Sequence, residues 1–306
     1  MHARLVIGGV VVALSPYVCR LRLAEEMLDA RQQAGFKTED LSRETGIQRQ
    51  KISHIETAKQ RVDPGVIKQL LVHLDVRPDR LAKVMDLANG SAEPGWWERF
   101  DDEMGPRQAR TADLEQGAKL IWQYHPNLVP GLLQTKKFAT IRADADRRAN
   151  SRRFSTARML EARTRRQAIL SGTSATPLEV ILDEAVLHRR SAPAEIMHEQ
   201  FEHLIGAALN MRSVMVRVLP FEAELSEHSQ PRTAFSRYTY PDPEDPAVVV
   251  VDTNVEDLIF QNRNKDDREK VAVYTDLAAE LRQSALSPAD SIDRLAAAAE
   301  ACLSRR

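Results

Sequence analysis

The chain has 306 residues, of which 43% are hydrophobic and 28% charged, and its formal net charge is −1. This is an ordinary globular balance with room for two domains, and it excludes a uniformly basic nucleic-acid binder, so any basic surface for DNA must be local. Cys19 and Cys302 lie near opposite ends of the chain without metal-type spacing, which suits a reducing cytosol.

The first apolar run, Val6 to Leu14, is far shorter than the roughly 20 residues that span a bilayer. Arg4 precedes the run as in a signal peptide, but no small-residue cleavage site of the A-x-A kind follows it. We expect residues 1–14 to be a disordered or mis-started extension, with a short edge strand as the alternative. No membrane partner is expected, and the protein should be cytoplasmic and nucleoid-associated.

Residues 15–88 carry apolar positions at helical spacing, broken by glycine and proline, which predicts a mainly helical bundle of five short helices. The second and third meet at Gly46, where a tight turn favours positive φ. Thr38 should cap the second helix with its hydroxyl. Leu41, Ile47 and two further isoleucines should face one small core. The five helices are predicted at Arg20–Ala34, from Thr38 to Gly46, from there to Glu56, at Gly65–Leu74 and at Asp79–Leu87.

The outward face of the third helix carries side chains that suit DNA base edges, because arginine can bond guanine and glutamine adenine in a bidentate way. The residues of this face are Gln48, Arg49, Gln50, Lys51, Ser53 and His54. Between Arg49 and Arg61, four basic residues stand against the single acid Glu56, a local charge of 4 − 1 = +3. The pattern indicates a helix-turn-helix that binds double-stranded DNA; the alternative is a structural helical hairpin.

Residues 89–110 begin with NGSAEP and are predicted to be a linker. Residues 111–306 should form an α+β domain with a small, largely antiparallel sheet. Strands are expected at Leu178–Leu182, Val214–Leu219, Ala234–Tyr240 and Ala247–Val251. Helices are expected at Leu114–Tyr124, Pro193–Asn210, Lys265–Ala285 and Ala289–Leu303.

An arginine-rich run lies between Arg142 and Arg166, where nine arginines stand against three acids, a charge of 9 − 3 = +6. Such a run suits DNA phosphates or an acidic protein, whereas the commoner case is a solvated helix face. The candidate patch for a partner or for phosphate is Arg158, Arg163, Arg165 and Arg166.

Two groups of residues have side chains that could form a chemical site. His198 and His203 in HEQFEH are five residues apart, whereas a zinc-peptidase helix needs its histidines four apart. Asp183, Glu184 and His188 follow a predicted strand and could form an acid/base cluster, but no nucleophile accompanies them. We therefore expect no enzyme, no metal and no cofactor, with a hydrolase as the weakest reading.

Thr38 to Arg61 resembles the Xre family of helix-turn-helix transcriptional regulators through Leu41-Ser42, Gly46-Ile47 and the Ile52-Ser53-x-Ile55-Glu56 run. The remainder resembles the large C-terminal domain of the WhiJ-like regulators of actinomycetes. That likeness rests on VPGLLQT at 129–135, ARTRRQAIL at 162–170, LDEAVL at 182–187, VRVLP at 216–220 and ALS at 285–287.

The Xre resemblance implies a residue-by-residue assignment for DNA contacts. Base-reading positions fall on Gln48, Arg49, Gln50 and His54, and phosphate contacts on Thr38, Lys51, Ser53, Lys59 and Arg61. Two positions depart from the family pattern, since Ala58 replaces a loop glycine and His54 replaces an arginine. The resemblance also implies a homodimer on a palindromic operator and, often, a small acidic partner protein encoded nearby.

Together these observations predict a sequence-specific DNA-binding regulator that is not an enzyme. Its 111–306 domain would dimerise and receive a signal or a partner. The alternative is an antitoxin-like adaptor whose main role is to bind a small acidic partner protein.

Overall fold

A computed structural model divides the chain into two compact units. The first unit comprises residues 1–98, 110–117 and 240–246, and the second unit comprises residues 99–109, 118–239 and 247–306. The structure describes residues 4–7, 10–13, 15–150, 155–226, 231–254, 256–261 and 265–304, and of 4–7, 10–13 and 146–150 it describes the backbone alone.

Two short strands precede the helices of the first unit. Strands β1 (Arg4–Ile7) and β2 (Val10–Ala13) pair antiparallel, with Arg4 opposite Ala13. For the described residues 4–7 and 10–13, this pairing agrees with the edge-strand alternative. That these residues form a mis-started extension stays a prediction.

Five helices follow in the order that the sequence predicts. The first helix begins four residues earlier than expected because the Ser15 hydroxyl accepts a hydrogen bond from the Val18 amide at 3.1 Å, and Pro16 suits the first helical position. The helices are α1 (Pro16–Gln33), α2 (Thr38–Thr45), α3 (Arg49–Glu56), α4 (Pro64–His73) and α5 (Pro78–Ala92).

One hydrophobic core joins these five helices. The predicted core residues Leu41, Ile52 and Ile55 are buried in it, and Ile47 packs against it partly buried. They meet apolar side chains from the other helices, among them Met27, Ile67, Leu70, Leu71 and Val84. The bundle that positions α3 is therefore as the sequence predicts.

The predicted linker, residues 89–110, is largely helical. Helix α5 continues to Ala92, a 3₁₀ turn covers Trp96–Phe100, and helix α6 spans Asp101–Glu115. A kink interrupts α6 where Gly105 has a φ of 65° and Pro106 follows. The glycine and serine of NGSAEP are typical of a loop, which is why composition predicts a break here. In the structure both residues are buried in the last turn of α5.

Two segments distant in sequence complete the first unit. The buried Asp113 carboxylate accepts hydrogen bonds from the Ser15 hydroxyl at 2.8 Å and from the Tyr17 amide at 3.1 Å. Arg22, buried on α1, donates to Asp242 at 2.7 Å and Asp245 at 3.1 Å, and it also pairs with Glu244. Nothing in the local sequence pattern indicated either contact.

The second unit is built on a six-stranded mixed sheet. The strands are β3 (Leu120–His125), β4 (Leu178–Asp183), β5 (Val214–Leu219), β6 (Phe235–Thr239), β7 (Val248–Val251) and β8 (Leu258–Gln261), in the order β5-β4-β3-β6-β7-β8. The β3–β4 and β4–β5 pairs are parallel, and the other three pairs are antiparallel. The α+β fold class is confirmed, with two parallel pairings in a sheet expected to be largely antiparallel.

The prediction of a helix over Leu114–Tyr124 is wrong beyond Glu115, where α6 ends. Residues from Leu120 onward form β3, a central strand with Ile121 paired to Leu178 on one side and to Tyr238 on the other. A strand buried on both faces has no alternation of apolar and polar residues. The short run LIWQYH therefore cannot be distinguished from a buried helical segment by its sequence pattern. Strand β8 was missed as well, because LIFQ is a short apolar run.

Helices cover this sheet. They are α7 (Lys136–Asn150), α8 (Thr156–Gln167), α9 (Ala185–His188), α10 (Ala194–Asn210), α11 (Lys265–Ser284) and α12 (Pro288–Ser304). One core cluster joins Trp122, Ile181 and Phe235 of the sheet to Val271 and Leu281 of α11. Helices α10 and α12 pack against each other and against β5.

Two of the recognised sequence motifs meet at the end of α11. Arg217, in VRVLP, donates to the carbonyl oxygens of Arg282 at 2.6 Å, Ala285 at 2.7 Å and Leu286 at 2.8 Å. The last carbonyls of a helix lack partners within the helix, so a guanidinium group stabilises them by hydrogen bonds and by its charge. This contact gives both motifs a structural role.

Candidate DNA-binding site

The turn between α2 and α3 has the geometry that the glycine predicts. Gly46 has a φ of 70° and ends α2, and the Ser42 hydroxyl donates to the Ile47 carbonyl at 2.7 Å. The capping role expected of Thr38 is wrong, because Lys37 occupies the cap position and Thr38 is the first helical residue. The Thr38 side chain is half-buried at the start of α2.

A buried ion pair holds α3 against α1. Arg31 donates to both carboxylate oxygens of Glu56, at 2.6 and 3.0 Å, and it also donates to the Phe36 carbonyl at 2.7 Å. Two parallel bonds fix orientation as well as distance. The sequence indicated Glu56 only as part of a motif, and its partner Arg31 could not be found without the packing of α1 on α3.

The outward face of α3 contains the predicted residues apart from Lys51, which lies on the flank of the helix nearer the core. At 100° per residue, Gln50, Ser53 and His54 share the side opposite the buried isoleucines, with Arg49 at its edge. Gln48, Arg49, Gln50 and Ser53 are exposed, whereas Lys51 and His54 are half-buried. The predicted base-reading residues therefore lie together at the start and along one side of α3.

The N-terminus of α3 adds polar groups to this face. Gln48 occupies the cap position, and no side chain caps the helix. The first amides of a helix have no partners inside the helix, so they can donate to an anion or to a base edge. His54 approaches Gln60, with its Nδ1 3.2 Å from the Gln60 Oε1 atom, which orients the imidazole along the same surface.

Two basic residues of this surface are already paired with acids. Arg49 lies 2.9 Å from Glu39, and Arg61 lies 2.5 Å from Glu98. Burial raises the pKa of the Glu98 carboxyl, but the hydrogen bonds from Arg61 and from the Gly95 amide outweigh burial. The pKa of Glu98 is therefore lowered. Lys51 and Lys59 make no ion pair within the described part of the chain, so part of the local positive charge is internally compensated.

The loop after α3 contains the departure that the sequence indicated at Ala58. Ala58 has a φ of 53°, in the left-handed region that favours glycine. The Lys59 amide donates to the His54 carbonyl at 3.0 Å and the Ala58 amide to the Ile55 carbonyl at 3.0 Å. These bonds satisfy the end of α3 and impose the left-handed conformation.

Comparison with protein families assigns both parts of the chain. Residues 22–84 match a helix-turn-helix domain, and residues 108–297 match a domain of unknown function, DUF5753. The chain belongs to the DUF5753 family. No curated protein and no solved structure matches it. The helix-turn-helix domain makes the protein a DNA-binding regulator in general terms.

Residues of the VPGLLQT and ARTRRQAIL segments meet at a single turn of the DUF5753 domain. Arg163 donates to the Gly131 carbonyl at 3.3 Å and to Gln134 at 2.9 Å, and Gln167 donates to the Gln134 carbonyl at 2.8 Å. A Cβ atom at Gly131 would lie 2.9 Å from the Arg163 Nη1 atom, so a larger residue there would displace this guanidinium group. Arg166 is buried beside the same turn.

The four arginines predicted as one patch therefore divide into two groups. Arg166 is buried and Arg163 is half-buried at the Gly131 turn, so both serve the fold rather than the predicted patch for a partner or for phosphate. Arg165 is exposed, and Arg158 is exposed but contacts Glu103 at 2.9 Å and lies 5.2 Å from the Phe100 ring. The upstream part of the arginine run, including residues 151–154, lies partly outside the described residues.

The structure brings together two members of the Asp183, Glu184 and His188 group, since the His188 Nε2 atom lies 3.4 Å from the Glu184 Oε1 atom. Asp183 accepts hydrogen bonds from the Tyr124 hydroxyl at 3.0 Å and from the Ala185 amide at 2.9 Å. Glu184 accepts from the Phe221 amide at 2.9 Å and also pairs with Arg294. Burial acts against the charge of Glu184, but these hydrogen bonds prevail and lower its pKa. The fold's own donors thus occupy both carboxylates.

The remaining candidate histidines are also explained by packing. The His198 Nδ1 atom lies 3.0 Å from the Ala299 carbonyl of α12, and burial lowers the pKa of His203. Within the described ranges no three His, Cys, Asp or Glu side chains are grouped to hold a metal ion. In the same residues no helix combines the length and the apolar character needed to cross a membrane.

Proposed function

We propose that this DUF5753 protein is a sequence-specific transcriptional regulator that inserts α3 into the DNA major groove. The observation that supports this most is the outward face of α3, where Gln48, Arg49 and Gln50 surround an uncapped helix start. Residues at the start of a recognition helix are those that reach base edges in helix-turn-helix complexes. No acidic side chain lies on this face of α3.

The residue roles follow from position and chemistry. Gln48, Arg49, Gln50 and His54 would read bases, because their side chains present the donors and acceptors that match base edges. Thr38, Lys51, Ser53, Lys59 and Arg61 would contact phosphates. Phosphate contacts set register and affinity but carry no sequence information.

A homodimer on a palindromic operator completes the proposal. One recognition helix reads only a few base pairs, so useful specificity needs a second copy about one DNA turn away. The DUF5753 domain would supply dimerisation and the input of a signal or a partner. The adaptor alternative receives less support, because Arg163 and Arg166 lie at the Gly131 turn and Arg158 contacts Glu103 at 2.9 Å.

The proposal is tested by selecting bound duplexes from a randomised DNA pool with the full-length protein. We expect an inverted repeat whose half-sites are about 10 base pairs apart. The same selection with the double variant Arg49→Ala, Gln50→Ala should return no motif. The Lys59→Ala variant should return the wild-type motif, although it binds DNA with lower affinity. A motif that survives the double variant unchanged would exclude α3 as the reading helix.

A further inference from the structure

The second unit contains a cavity of about 340 Å³ between α9, the loop that follows it, α10 and the last turns of α12. This volume falls within the range of roughly 300–1,000 Å³ that small-molecule sites occupy. The cavity lies in the DUF5753 region and away from the outward face of α3, and its lining includes Glu184 and His188 of the candidate acid/base group.

The walls of this cavity are apolar. Leu187 and Met197 are buried side chains on α9 and α10, and three alanines of α12, at positions 297, 298 and 301, leave the space open. Larger side chains at these alanines would fill the volume. An apolar body of modest size would therefore gain favourable burial here.

The polar lining of the cavity is unbalanced in charge. Its charged residues are three arginines, at positions 189, 190 and 294, and one carboxylate, Glu184, which gives 3 − 1 = +2 with His188 neutral. Arg294 is already bound to Glu184 and to Glu222, the latter at 3.1 Å. Arg189 and Arg190 are exposed and make no ion pair within the described segments. Two uncompensated guanidinium groups thus stand at the edge of an apolar space.

We infer that this cavity binds a small amphipathic anion, with an apolar body against the alanines of α12 and one anionic head group at Arg189 and Arg190. Guanidinium groups pair with carboxylate, sulfonate or phosphate oxygens through charge-assisted hydrogen bonds. Binding of this anion to the cavity does not depend on DNA recognition. If the anion is also the signal that the DUF5753 domain receives, that role rests on the proposed function.

The test uses the full-length protein and two fluorescent probes that share one scaffold. 1-Anilinonaphthalene-8-sulfonate carries an anionic group, and N-phenyl-1-naphthylamine lacks it. We expect one bound equivalent of the anionic probe. The Arg189→Gln, Arg190→Gln variant should weaken that probe by about tenfold and change the neutral probe by less than about twofold. Arg212→Gln, an exposed arginine elsewhere in the second unit, is the matched control and should change neither.

Filling the cavity tests its location. Ala298→Phe should weaken both probes by about tenfold or more, because the side chain takes the space of the apolar body. A second measurement keeps the test valid if this variant fails to fold. Cys302 lines the cavity, whereas Cys19 is 3% exposed and burial raises its pKa to about 12. Bound anionic probe should therefore slow iodoacetamide labelling of Cys302 in the wild-type protein, measured by mass spectrometry.

Three results would overturn the inference. These are wild-type probe binding by folded Ala298→Phe, equal loss of binding in Arg212→Gln and in the double variant, or unchanged labelling of Cys302 at saturating probe. None of these results depends on DNA. An operator that is still bound normally would then separate failure of this inference from failure of the proposed function.

Discussion

Replacing Ala58 by glycine should stabilise the helix-turn-helix bundle. Ala58 has a φ of 53°, and this conformation costs an L-residue roughly 1–2 kcal/mol. Glycine removes that strain but loses roughly 0.5–1 kcal/mol through its freer unfolded chain. The net gain is therefore about 0.5–1 kcal/mol, since the half-buried methyl group contributes little packing.

Gly46→Ala provides the opposite perturbation in the same motif. Gly46 has a φ of 70°, and no atom lies within 4 Å of the Cβ position, so the added methyl group meets open space. The left-handed backbone then costs roughly 1–2 kcal/mol, the less flexible unfolded chain offsets roughly 0.5–1 kcal/mol of it, and we expect a net loss of about 1 kcal/mol. The two variants together isolate backbone strain from side-chain contacts.

Hydrogen exchange of the intact protein, followed by mass spectrometry, measures both effects locally. A change of about 1 kcal/mol alters the exchange of α2 and α3 amides about fivefold, slower in Ala58→Gly and faster in Gly46→Ala. Peptides from β4 and β5 in the second unit serve as the internal control. Faster exchange of α3 in Ala58→Gly would refute the reasoning, because it would mean that the alanine methyl contributes more than the strained backbone costs.

Three further variants test other contacts. Glu39→Gln should release Arg49 and tighten DNA binding about two- to fivefold, whereas Asp266→Asn, which removes an exposed acid from the second unit, should have a smaller effect in the same mobility shift. Arg163→Ala should lower the free energy of unfolding by about 2 kcal/mol in urea titrations, whereas Arg212→Ala, at an exposed arginine of the same unit, should change it by less than about 0.5 kcal/mol. Equal effects would contradict the structural role of Arg163. Burial and the neighbouring Asp257 raise the pKa of Asp252 to about 6. The native state therefore keeps a proton that the unfolded state loses near pH 4, and the free energy of unfolding falls as the pH rises from 4 to 6. Asp252→Asn should flatten that fall, which is at most roughly 2–3 kcal/mol, and an identical pH profile in both proteins would contradict the assignment.

The sequence predicted the bundle well because its helices are amphipathic and are separated by glycine and proline. Leu41, Ile52 and Ile55 lie in the core, and Gly46 has the expected backbone conformation. The contacts that hold this bundle in place were not predictable, since Arg31 and Glu56 meet only after α1 and α3 pack. Local patterns report which face is buried, not which charged residue lies opposite.

The C-terminal region was harder to predict for a different reason. Strand β3 lies in the middle of the sheet, and an apolar strand buried on both sides lacks the two-residue alternation that identifies a strand. The arginine run misled in the same way. Charge composition predicted a surface, but Arg166 is buried and Arg163 bonds a turn that only the fold brings near. The strong local charge therefore predicted a binding surface, although some of these arginines stabilise the fold.

The central claim is that α3 reads DNA sequence, and the specificity ratio tests it most directly. This ratio is the dissociation constant for a scrambled duplex divided by that for the selected operator, measured at one salt concentration. We predict that Gln50→Ala lowers the ratio about tenfold, while Lys59→Ala weakens both duplexes alike and leaves the ratio within about twofold. A wild-type ratio in Gln50→Ala, together with a reduced ratio in Lys59→Ala, would contradict the assignment of base reading to the outward face of α3.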